Sequence, residues 1–248
     1  MTDQPLSNRA RETGKLWVRR ALQRVDIEIG RGSYASRLVH TLDARRIRTV
    51  LDVGANVGQY AALTRNAGYD GQIISCEPLG GAFAELSRRA ARDDRWTALN
   101  TAVGASSGTA TINVSENSFS SSIRDMTDTH LRTAPQSRVI GTETVPVTTV
   151  TDLVSTHRLD PGRTLLKVDT QGFEDEVLRG AGDLIGQVAA IQLELSFVEL
   201  YEGQQLFDDL VAGMSRAGYR IQQLQPGISD ATGRMLQVDG LFVLRSGD

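Results

Sequence analysis

The stretch that decides the fold reads TVLDVGANVGQY and runs from Thr49 to Tyr60. Its first five residues form a short apolar run that ends in a glycine-containing turn, which is typical of a buried parallel strand. Residues 57–67 then predict a helix. Gly54 and Gly58 let the intervening backbone turn tightly and approach a ligand without a side chain in the way. The stretch therefore predicts a strand, a binding turn and a helix in direct succession.

The same alternation continues along the chain, where strands are predicted between helices at 71–76, 96–103, 164–169 and 188–195. Residues 219–224 and 238–244 predict a terminal antiparallel hairpin. Strands that alternate with helices of this length imply crossover connections and a mostly parallel sheet. We therefore predict an α/β, doubly wound, Rossmann-like fold with about seven strands.

Residues 104–148 interrupt this rhythm. They contain two β-like pieces, Thr109 to Val114 and Thr142 to Val147, with a polar serine-rich loop between them. Pro146 predicts that the second piece is an edge strand, because proline lacks the N–H that a central strand donates. A long loop inside a compact domain is typical of a functional lid, so we predict an inserted β-ribbon with a lid.

Composition excludes several classes of protein. Hydrophobic residues make up 40% of the 248 residues, charged residues 23%, and the net charge is −3, which is typical of a soluble globular protein and disfavours a nucleic-acid partner. Cys76 is the single cysteine, and His40, His130 and His157 lack metal-ligand spacing, so the sequence predicts no bound metal. It contains neither a membrane-spanning apolar run nor a signal-peptide stretch, which predicts a cytoplasmic location.

The N-terminal segment differs in charge from the rest. Residues 1–24 carry six basic and two acidic side chains, and apolar residues at helical spacing predict a basic amphipathic helix. We therefore divide the chain into an N-terminal segment, 1–44, and a domain, 45–248. Packing of the helix on the domain is the simpler interpretation. Peripheral contact of residues 9–25 with the inner face of a membrane stays open as an alternative. The oligomeric state also stays open, and a dimer is one of the possibilities.

Asp52 to Gly58 follow the pattern D-x-G-x-(G/N)-x-G, which is associated with S-adenosylmethionine. The pattern is not G-x-G-x-x-G, so a dinucleotide is disfavoured. Glu77 comes nineteen residues after Gly58, at the end of the second strand, where a doubly wound fold places the carboxylate that binds ribose hydroxyls. The turn and the acid together predict a cofactor site.

The chain resembles FkbM-type methyltransferases over residues 45–245. The motifs that carry the resemblance are Leu51 to Tyr60, Glu77-Pro78, Asn100 to Gly104, Ser120 to Ser122, Leu166 to Glu174 and Leu193 to Leu195. The resemblance implies a class I methyltransferase fold, S-adenosylmethionine as cofactor and O-methylation of a hydroxyl, commonly on a sugar or a polyketide. Leu200 to Gln204 and Gln237 to Phe242 look most like the branch that occurs beside glycosyltransferase genes, which implies glycolipid biosynthesis.

Eight residues around the turn, the first two strand ends and the following loop are the predicted cofactor ligands: Asp52, Gly54, Asn56, Gly58, Tyr60, Glu77, Pro78 and Ala102. Asp52 is expected to orient the amino-acid end of the cofactor.

Four residues are candidates for the base that withdraws the proton of the acceptor hydroxyl. Asp169 is the first, because it ends the fourth strand, where ligands bind in open α/β sheets; capping of the next helix is its alternative role. Glu194 ends the fifth strand, and a carboxylate is costly to bury there without a partner. Glu174 lies near the start of a helix, where its negative charge also suits the helix dipole, so a structural role is the equal alternative. His130 belongs to the predicted lid, with an exposed loop position as the alternative.

Residues of the lid and of the later strands are the predicted acceptor ligands: Phe119, Ser121, Ser122, Tyr201, Gln204 and Asp239. The sequence predicts transfer to a sugar hydroxyl of a glycolipid, oligosaccharide or glycosylated natural product. A polyketide or other small molecule, a nucleic acid, and a catalytically silent cofactor-binding module are the alternatives.

Overall fold

The computed structural model describes residues 32–245. The basic amphipathic helix predicted in the N-terminal segment lies outside this part of the chain, and so do residues 9–25, for which membrane contact stays open. The strands within it are β1 Thr49–Val53, β2 Gln72–Cys76, β3 Trp96–Leu99, β4 Ala102–Val103, β5 Gly108–Ser115, β6 Val139–Thr148, β7 Thr164–Val168, β8 Ala190–Ser196, β9 Tyr219–Pro226 and β10 Gln237–Leu244. The α-helices are α1 Tyr34–Ala44, α2 Gln59–Asn66, α3 Gly80–Ala90, α4 Asp128–Thr133, α5 Val150–Thr156, α6 Glu174–Ala181 and α7 Phe207–Arg216.

Seven strands form one sheet in the order β3-β2-β1-β7-β8-β10-β9. Pairing is parallel from β3 to β8, whereas β10 runs antiparallel to both β8 and β9. The predicted α/β fold, with a mostly parallel seven-stranded sheet and a terminal hairpin, is confirmed. The order reverses between β1 and β7, and ligands bind at such a switch point.

Both faces of the central strands are buried, which explains their continuous apolar character. On one face Leu51 and Val168 belong to a core shared with α5, α6 and α7, and on the other Val50 and Leu165 pack with α1 and α2. Each such side chain contributes about 1.5–3 kcal/mol when it is fully buried. The central strands therefore hold the residues at their carboxyl ends in fixed positions.

The single strand predicted over residues 96–103 is wrong: the chain forms two strands in different sheets. β3 pairs with β2, whereas β4 leaves this sheet and pairs with β6. Asn100 lies at the break, and its Nδ2 donates to the carbonyl oxygens of Glu77 and Pro78 at 3.0 and 2.8 Å. These bonds take the chain out of the first sheet across the end of β2, which brings β4 to the edge of the cleft described below.

A second sheet has the order β4-β6-β5, so the prediction that Pro146 marks an edge strand is wrong. β6 is its central strand and pairs antiparallel with β5. The other side of β6 pairs with β4, but only at Val147 and Thr148. Pro146 therefore lies just before the part of β6 that is paired on both sides. The proline is compatible with this position because no N–H is needed there.

Within residues 32–245 no helix is long and apolar enough to span a bilayer. The cytoplasmic location stays a prediction.

Candidate active site

A cleft of about 1250 Å³ opens at the carboxyl ends of the parallel strands. The turns after β1, β2 and β7 line it, together with the end of β8, the start of β10 and the loop between β5 and α4. Pockets for a single small ligand are typically about 300–1000 Å³. The cleft is therefore large enough for a cofactor and an acceptor side by side.

Gly54 and Gly58 adopt left-handed backbone conformations, with φ of 75° and 87°. A Cβ on Gly54 would lie 1.8 Å from the carbonyl oxygen of Asp169, and one on Gly58 would lie 2.7 Å from the ring of Trp96. Side chains are thus excluded at both positions by conformation and by space. The absence of a side chain at Gly54 lets the turn after β1 pack directly against the turn after β7, and at Gly58 it leaves room for the ring of Trp96 on β3.

Glu77 lines the cleft and is 5% exposed. Its Oε2 accepts from the backbone N–H of Asn56 at 2.8 Å, and its Oε1 accepts from that of Leu79 at 2.9 Å. A carboxylate offers about four acceptor positions, so each oxygen retains one for a ligand hydroxyl. Burial raises the pKa of Glu77 to about 7 against the opposing effect of the two N–H groups. This arrangement fits the binding of ribose hydroxyls.

Asp52 is completely buried and does not line the cleft. Its Oδ1 lies 3.0 Å from Nζ of Lys167, and its Oδ2 accepts from the hydroxyl of Ser75 at 3.0 Å. Nζ of Lys167 also donates to the carbonyl oxygen of Gly54 at 3.0 Å. Direct contact of Asp52 with the cofactor is therefore not supported, because its carboxylate is enclosed beneath the turn. It anchors the lysine that holds the turn.

The remaining predicted cofactor residues lie around this turn. Asn56 has a φ of 48°, and its Oδ1 accepts from the N–H of Val57 at 2.8 Å. The hydroxyl of Tyr60 donates to Gln192 at 2.7 Å, and its ring lies 5.4 Å from Nζ of Lys167. Pro78 and Ala102 line the cleft beside Glu77. Their contact with the cofactor stays a prediction.

Asp169 and Glu194 come together at the ends of β7 and β8. Nε2 of Gln171 donates to Oδ1 of Asp169 at 2.8 Å and to Oε2 of Glu194 at 3.0 Å, so one amide links the two carboxylates. Oδ2 of Asp169 lies 3.6 Å from Nζ of Lys167, and 36% of the Asp169 side chain is exposed. Burial and the neighbouring carboxylates raise the pKa of Glu194 well above its usual value.

Asp239 on β10 lies opposite Glu194 in the sheet register and lines the cleft. Burial, assisted by the charge of Asp169, raises the pKa of Asp239 to about 7. Lys167 carries the opposing charge: although burial disfavours its ammonium group, Asp52 and Asp169 hold its pKa above the usual value. The floor of the cleft is thus acidic, with one buried cation among the carboxylates.

Glu174 is 4% exposed and does not line the cleft, which contradicts its assignment as a candidate base. Its Oε1 accepts from the N–H and hydroxyl of Thr170 at 2.8 and 3.1 Å and from the N–H of Gly172 at 3.3 Å. Burial raises its pKa to about 7. The alternative structural role is the one that the geometry supports, because the carboxylate holds the turn that carries Asp169 and Gln171.

His130 lies within α4 at 3% exposure, does not line the cleft, and has no hydrogen-bond partner within residues 32–245 for either ring nitrogen. Burial lowers its pKa. Both predicted positions, in reach of the acceptor or on an exposed loop, are wrong. Its ring packs edge-on against Tyr201, with 4.9 Å between the ring centroids, because α4 folds against the segment after β8.

Tyr201 and Gln204 are also buried outside the cleft, so their assignment as acceptor ligands is wrong. The hydroxyl of Tyr201 donates to Oε1 of Gln171 at 2.8 Å. Oε1 of Gln204 accepts from the N–H groups of Leu200 and Tyr201 at 2.8 and 2.6 Å. The segment after β8 folds into the protein, where its buried polar groups find these hydrogen-bond partners. Through the bond from Tyr201 to Gln171 it supports the turn after β7.

Three other predicted acceptor residues lie where the sequence suggested, on the loop after β5. Phe119, Ser121 and Ser122 all line the cleft, and Phe119 is 57% exposed. The hydroxyl of Ser122 donates to the carbonyl oxygen of Gln171 at 2.7 Å, whereas Oγ of Ser121 accepts from the N–H of Ser115 at 3.0 Å. Closure of this loop as a lid stays a prediction.

Sequence reasoning missed Lys167 and Gln171. Both lie in the motif around Asp169, so the signal was present: a lysine in a buried strand requires a carboxylate partner, and Asp52 is the neighbouring residue on β1. The bridging role of Gln171 had no comparable signal. No group of three or more potential metal ligands is arranged to bind an ion in the described part of the chain.

The strand order with its antiparallel β10, the glycine turn after β1 and the acid after β2 define a class I methyltransferase. A model described as "Methyltransferase FkbM domain" matches residues 52–221. The chain therefore belongs to the FkbM methyltransferase family. S-adenosylmethionine stays the predicted cofactor, and the geometry of the glycine turn and Glu77 fits it.

Among solved structures, a TehB-like methyltransferase from Corynebacterium glutamicum is 12% identical, with 95% of this chain and 99% of that chain covered and a TM-score of 0.41. A 1,6-didemethyltoxoflavin-N1-methyltransferase from Burkholderia thailandensis is 13% identical, with 99% and 94% covered and a TM-score of 0.46. Magnesium protoporphyrin IX methyltransferase from Synechocystis is 11% identical, with 85% and 78% covered and a TM-score of 0.45. No curated protein matches the chain. At these identities the substrates of those enzymes say nothing about the acceptor of this chain.

Proposed function

We propose that the protein transfers the methyl group of S-adenosylmethionine to a hydroxyl group of a sugar, carried by a glycolipid, an oligosaccharide or a glycosylated natural product. The observation that carries this proposal is the carboxylate of Asp169, which is partly exposed in the cleft beside Glu194. The bound cofactor supplies a methyl group on a sulfonium, which is already an activated electrophile. The remaining tasks for the protein are to orient the acceptor and to withdraw its proton.

Orientation is the larger of these tasks, since holding the reacting atoms in near-attack geometry can contribute about 7–11 kcal/mol. A carboxylate that accepts the hydroxyl proton adds about 10²- to 10⁴-fold. Asp169 is suited to this step because Lys167, 3.6 Å from its Oδ2, stabilises the negative charge. Glu194, whose pKa is raised, is less suited to be the ionised base.

The charges of the cleft favour a neutral acceptor. Four acids line it, Glu77, Asp169, Glu194 and Asp239, and each cation in the lining is paired, Lys167 with Asp52 and Arg89 with Glu85. An acceptor that carried a phosphate or carboxylate near its reacting hydroxyl would find acidic side chains there and no unpaired cation to bind it. A neutral sugar ring avoids this cost, and the exposed ring of Phe119 offers it an apolar surface.

The test is incubation of the protein with a radiolabelled methyl donor and a panel of deoxysugar glycolipids, free oligosaccharides, polyketides and RNA. Transfer to sugars that Asp169→Asn lowers by about 10²- to 10⁴-fold, with cofactor affinity in calorimetry unchanged, is the expected result. Transfer to a polyketide or to RNA alone would contradict the sugar assignment. Cofactor binding without transfer to any acceptor would favour the silent binding module.

A further inference from the structure

The side-chain amide of Gln171 occupies the space between two carboxylates. Its Nε2 donates to Oδ1 of Asp169 at 2.8 Å and to Oε2 of Glu194 at 3.0 Å. Two carboxylates that are close enough to share one amide group repel each other. The NH₂ of the amide has two hydrogens and donates one to each carboxylate. Gln171 therefore offsets the repulsion between them and fixes the direction in which each points.

The orientation of the amide is set from the opposite side. The hydroxyl of Tyr201 donates to Oε1 of Gln171 at 2.8 Å, and Tyr201 is completely buried. If the amide were rotated by 180°, its oxygen would face both carboxylates and lose both hydrogen bonds. The carboxylates require this orientation, and the Tyr201 hydroxyl supports it by donating to Oε1, the nearer of its two acceptors, at 2.8 Å against 3.1 Å for the carbonyl oxygen of Ser120. Packing of His130 against the Tyr201 ring holds the tyrosine in place.

The backbone of Gln171 is held as well. It has a φ of 57°, a backbone conformation that residues other than glycine adopt uncommonly. The hydroxyl of Ser122 donates to its carbonyl oxygen at 2.7 Å, and the carbonyl oxygen of Ser120 lies 3.1 Å from the hydroxyl of Tyr201. The loop after β5, which lines the cleft, therefore contacts both residues that support the carboxylates.

We propose that Gln171 is a positioning residue for methyl transfer: its amide, oriented by Tyr201, holds Asp169 and Glu194 as a pair and leaves Oδ2 of Asp169 free of this clamp. This inference rests on the proposed function, in which Asp169 accepts the proton of the acceptor. Gln171 itself neither gives nor takes a proton. Ser122, which lines the cleft, is hydrogen-bonded to the backbone of Gln171 and so helps to hold the residue that positions the base.

The consequence is a change in the titration of Glu194. The charged groups that act on Glu194 are Asp169 after β7, Glu174 on α6 and Asp239 on β10, and the charge of Glu194 acts in turn on Tyr201 after β8. Burial and the acidic neighbours raise the pKa of Glu194, whereas the hydrogen bond from Gln171 lowers it. Removal of the amide therefore raises the pKa of Glu194 further.

The experiment is a pH titration by NMR of protein labelled with ¹³C at its Asp and Glu carboxyl carbons, for which no acceptor is needed. The variants are Gln171→Met, which keeps the length of the side chain, and Tyr201→Phe, which keeps the amide and removes what orients it. Glu194→Gln and Asp169→Asn assign the two signals. Cofactor affinity, measured by calorimetry, shows whether each variant retains the fold.

We expect Gln171→Met to raise the apparent pKa of Glu194 by about one unit or more, with cofactor affinity within about twofold of wild type. Tyr201→Phe should shift it in the same direction by less, and this variant decides the outcome if Gln171→Met fails to bind the cofactor. Titration curves of both variants that coincide with wild type would overturn the proposal.

The activity measurement separates this inference from the function on which it rests. With an acceptor from the panel, Gln171→Met should lower kcat by about 10- to 100-fold, leave KM within about threefold, and change the pH dependence of kcat. Equal losses in kcat at every pH would contradict a positioning role. If no sugar is methylated, the proposed function fails, while the NMR titration still decides whether Gln171 clamps the pair.

Discussion

The two ends of the cleft hold their carboxylates by different means. At the cofactor end, Glu77 is bound by the backbone N–H groups of Asn56 and Leu79. At the acceptor end, Asp169 and Glu194 are bound by the side chain of Gln171. Backbone donors persist when neighbouring side chains change, whereas a side-chain donor is lost with one substitution. The cofactor end is therefore sensitive mainly at its glycines, and the acceptor end at its polar side chains.

Lys167 joins the two ends. Its Nζ donates to the carbonyl oxygen of Gly54 at the cofactor end and lies 3.6 Å from the carboxylate of Asp169 at the acceptor end. The same Nζ forms a buried ion pair with Asp52. Variants of this lysine should disturb both ends, whereas variants of Glu77 or Gln171 should disturb one.

The largest expected effect is that of Lys167→Met. Removal of the ammonium group leaves Asp52 buried with an uncompensated charge, which typically costs about 3–5 kcal/mol. Urea unfolding measures this loss, and calorimetry should show that cofactor affinity falls with it. Arg163→Met, which breaks the exposed ion pair with Asp160, is the matched control and should cost less than about 1 kcal/mol. Equal stability of the two variants would refute the role of Lys167 in joining the two ends.

Gly54→Ala should affect the cofactor end next most strongly. The added Cβ would lie 1.8 Å from the Asp169 carbonyl oxygen at a φ of 75°, so the turns after β1 and β7 must separate. We expect cofactor affinity to fall by at least about tenfold, or about 1.4 kcal/mol. Gly81→Ala is the control, since nothing lies within 4 Å of its added Cβ, and it should retain wild-type affinity. Wild-type affinity of Gly54→Ala would contradict the close contact.

Glu77→Gln should reveal a pH dependence that belongs to the cofactor end. The pKa of Glu77 is about 7, above its usual value, so the carboxylate protonates as the pH falls from 8 to 6 and loses acceptor capacity for ribose hydroxyls. Wild-type cofactor affinity should therefore decrease over this range, and Glu77→Gln should bind several-fold more weakly at pH 8 with a flatter profile.

Asp239→Asn is the control for this measurement, because the pKa of Asp239 is also about 7. This variant should keep the decrease that Glu77 causes. Calorimetry at matched ionic strength measures both profiles, and a decrease of the same size in Glu77→Gln as in wild type would assign the effect to another group.

The smallest effect is expected for His130→Phe. The ring keeps its packing against Tyr201, and two buried nitrogens without partners are removed, so the free energy of unfolding should stay within about 1 kcal/mol of wild type or rise. Burial lowers the pKa of His130 in the folded protein, so as the pH falls the imidazole is protonated in the unfolded chain before it is protonated in the folded one. Wild type should therefore lose stability relative to the variant as the pH falls below about 6.5. Turnover reduced more than about tenfold would restore His130 as a candidate base.

The sequence by itself determined the sheet, the glycine turn and the positions of Glu77, Asp169 and Glu194. These features are local: an apolar run predicts a buried strand, and parallel strands place the residues at their carboxyl ends on one rim. A residue that follows a strand directly, such as Glu77 after β2, can therefore be placed from spacing alone.

Only the tertiary structure decided what each polar side chain contacts. Asp52, Glu174, His130, Tyr201 and Gln204 were plausible ligands by position, yet their side chains are buried and bonded or packed within the protein. Whether a polar group near a site faces the cleft or the core depends on partners that are distant in sequence, such as Lys167 for Asp52. Buried polar groups must find such partners, and the sequence does not show which of them the fold brings within reach.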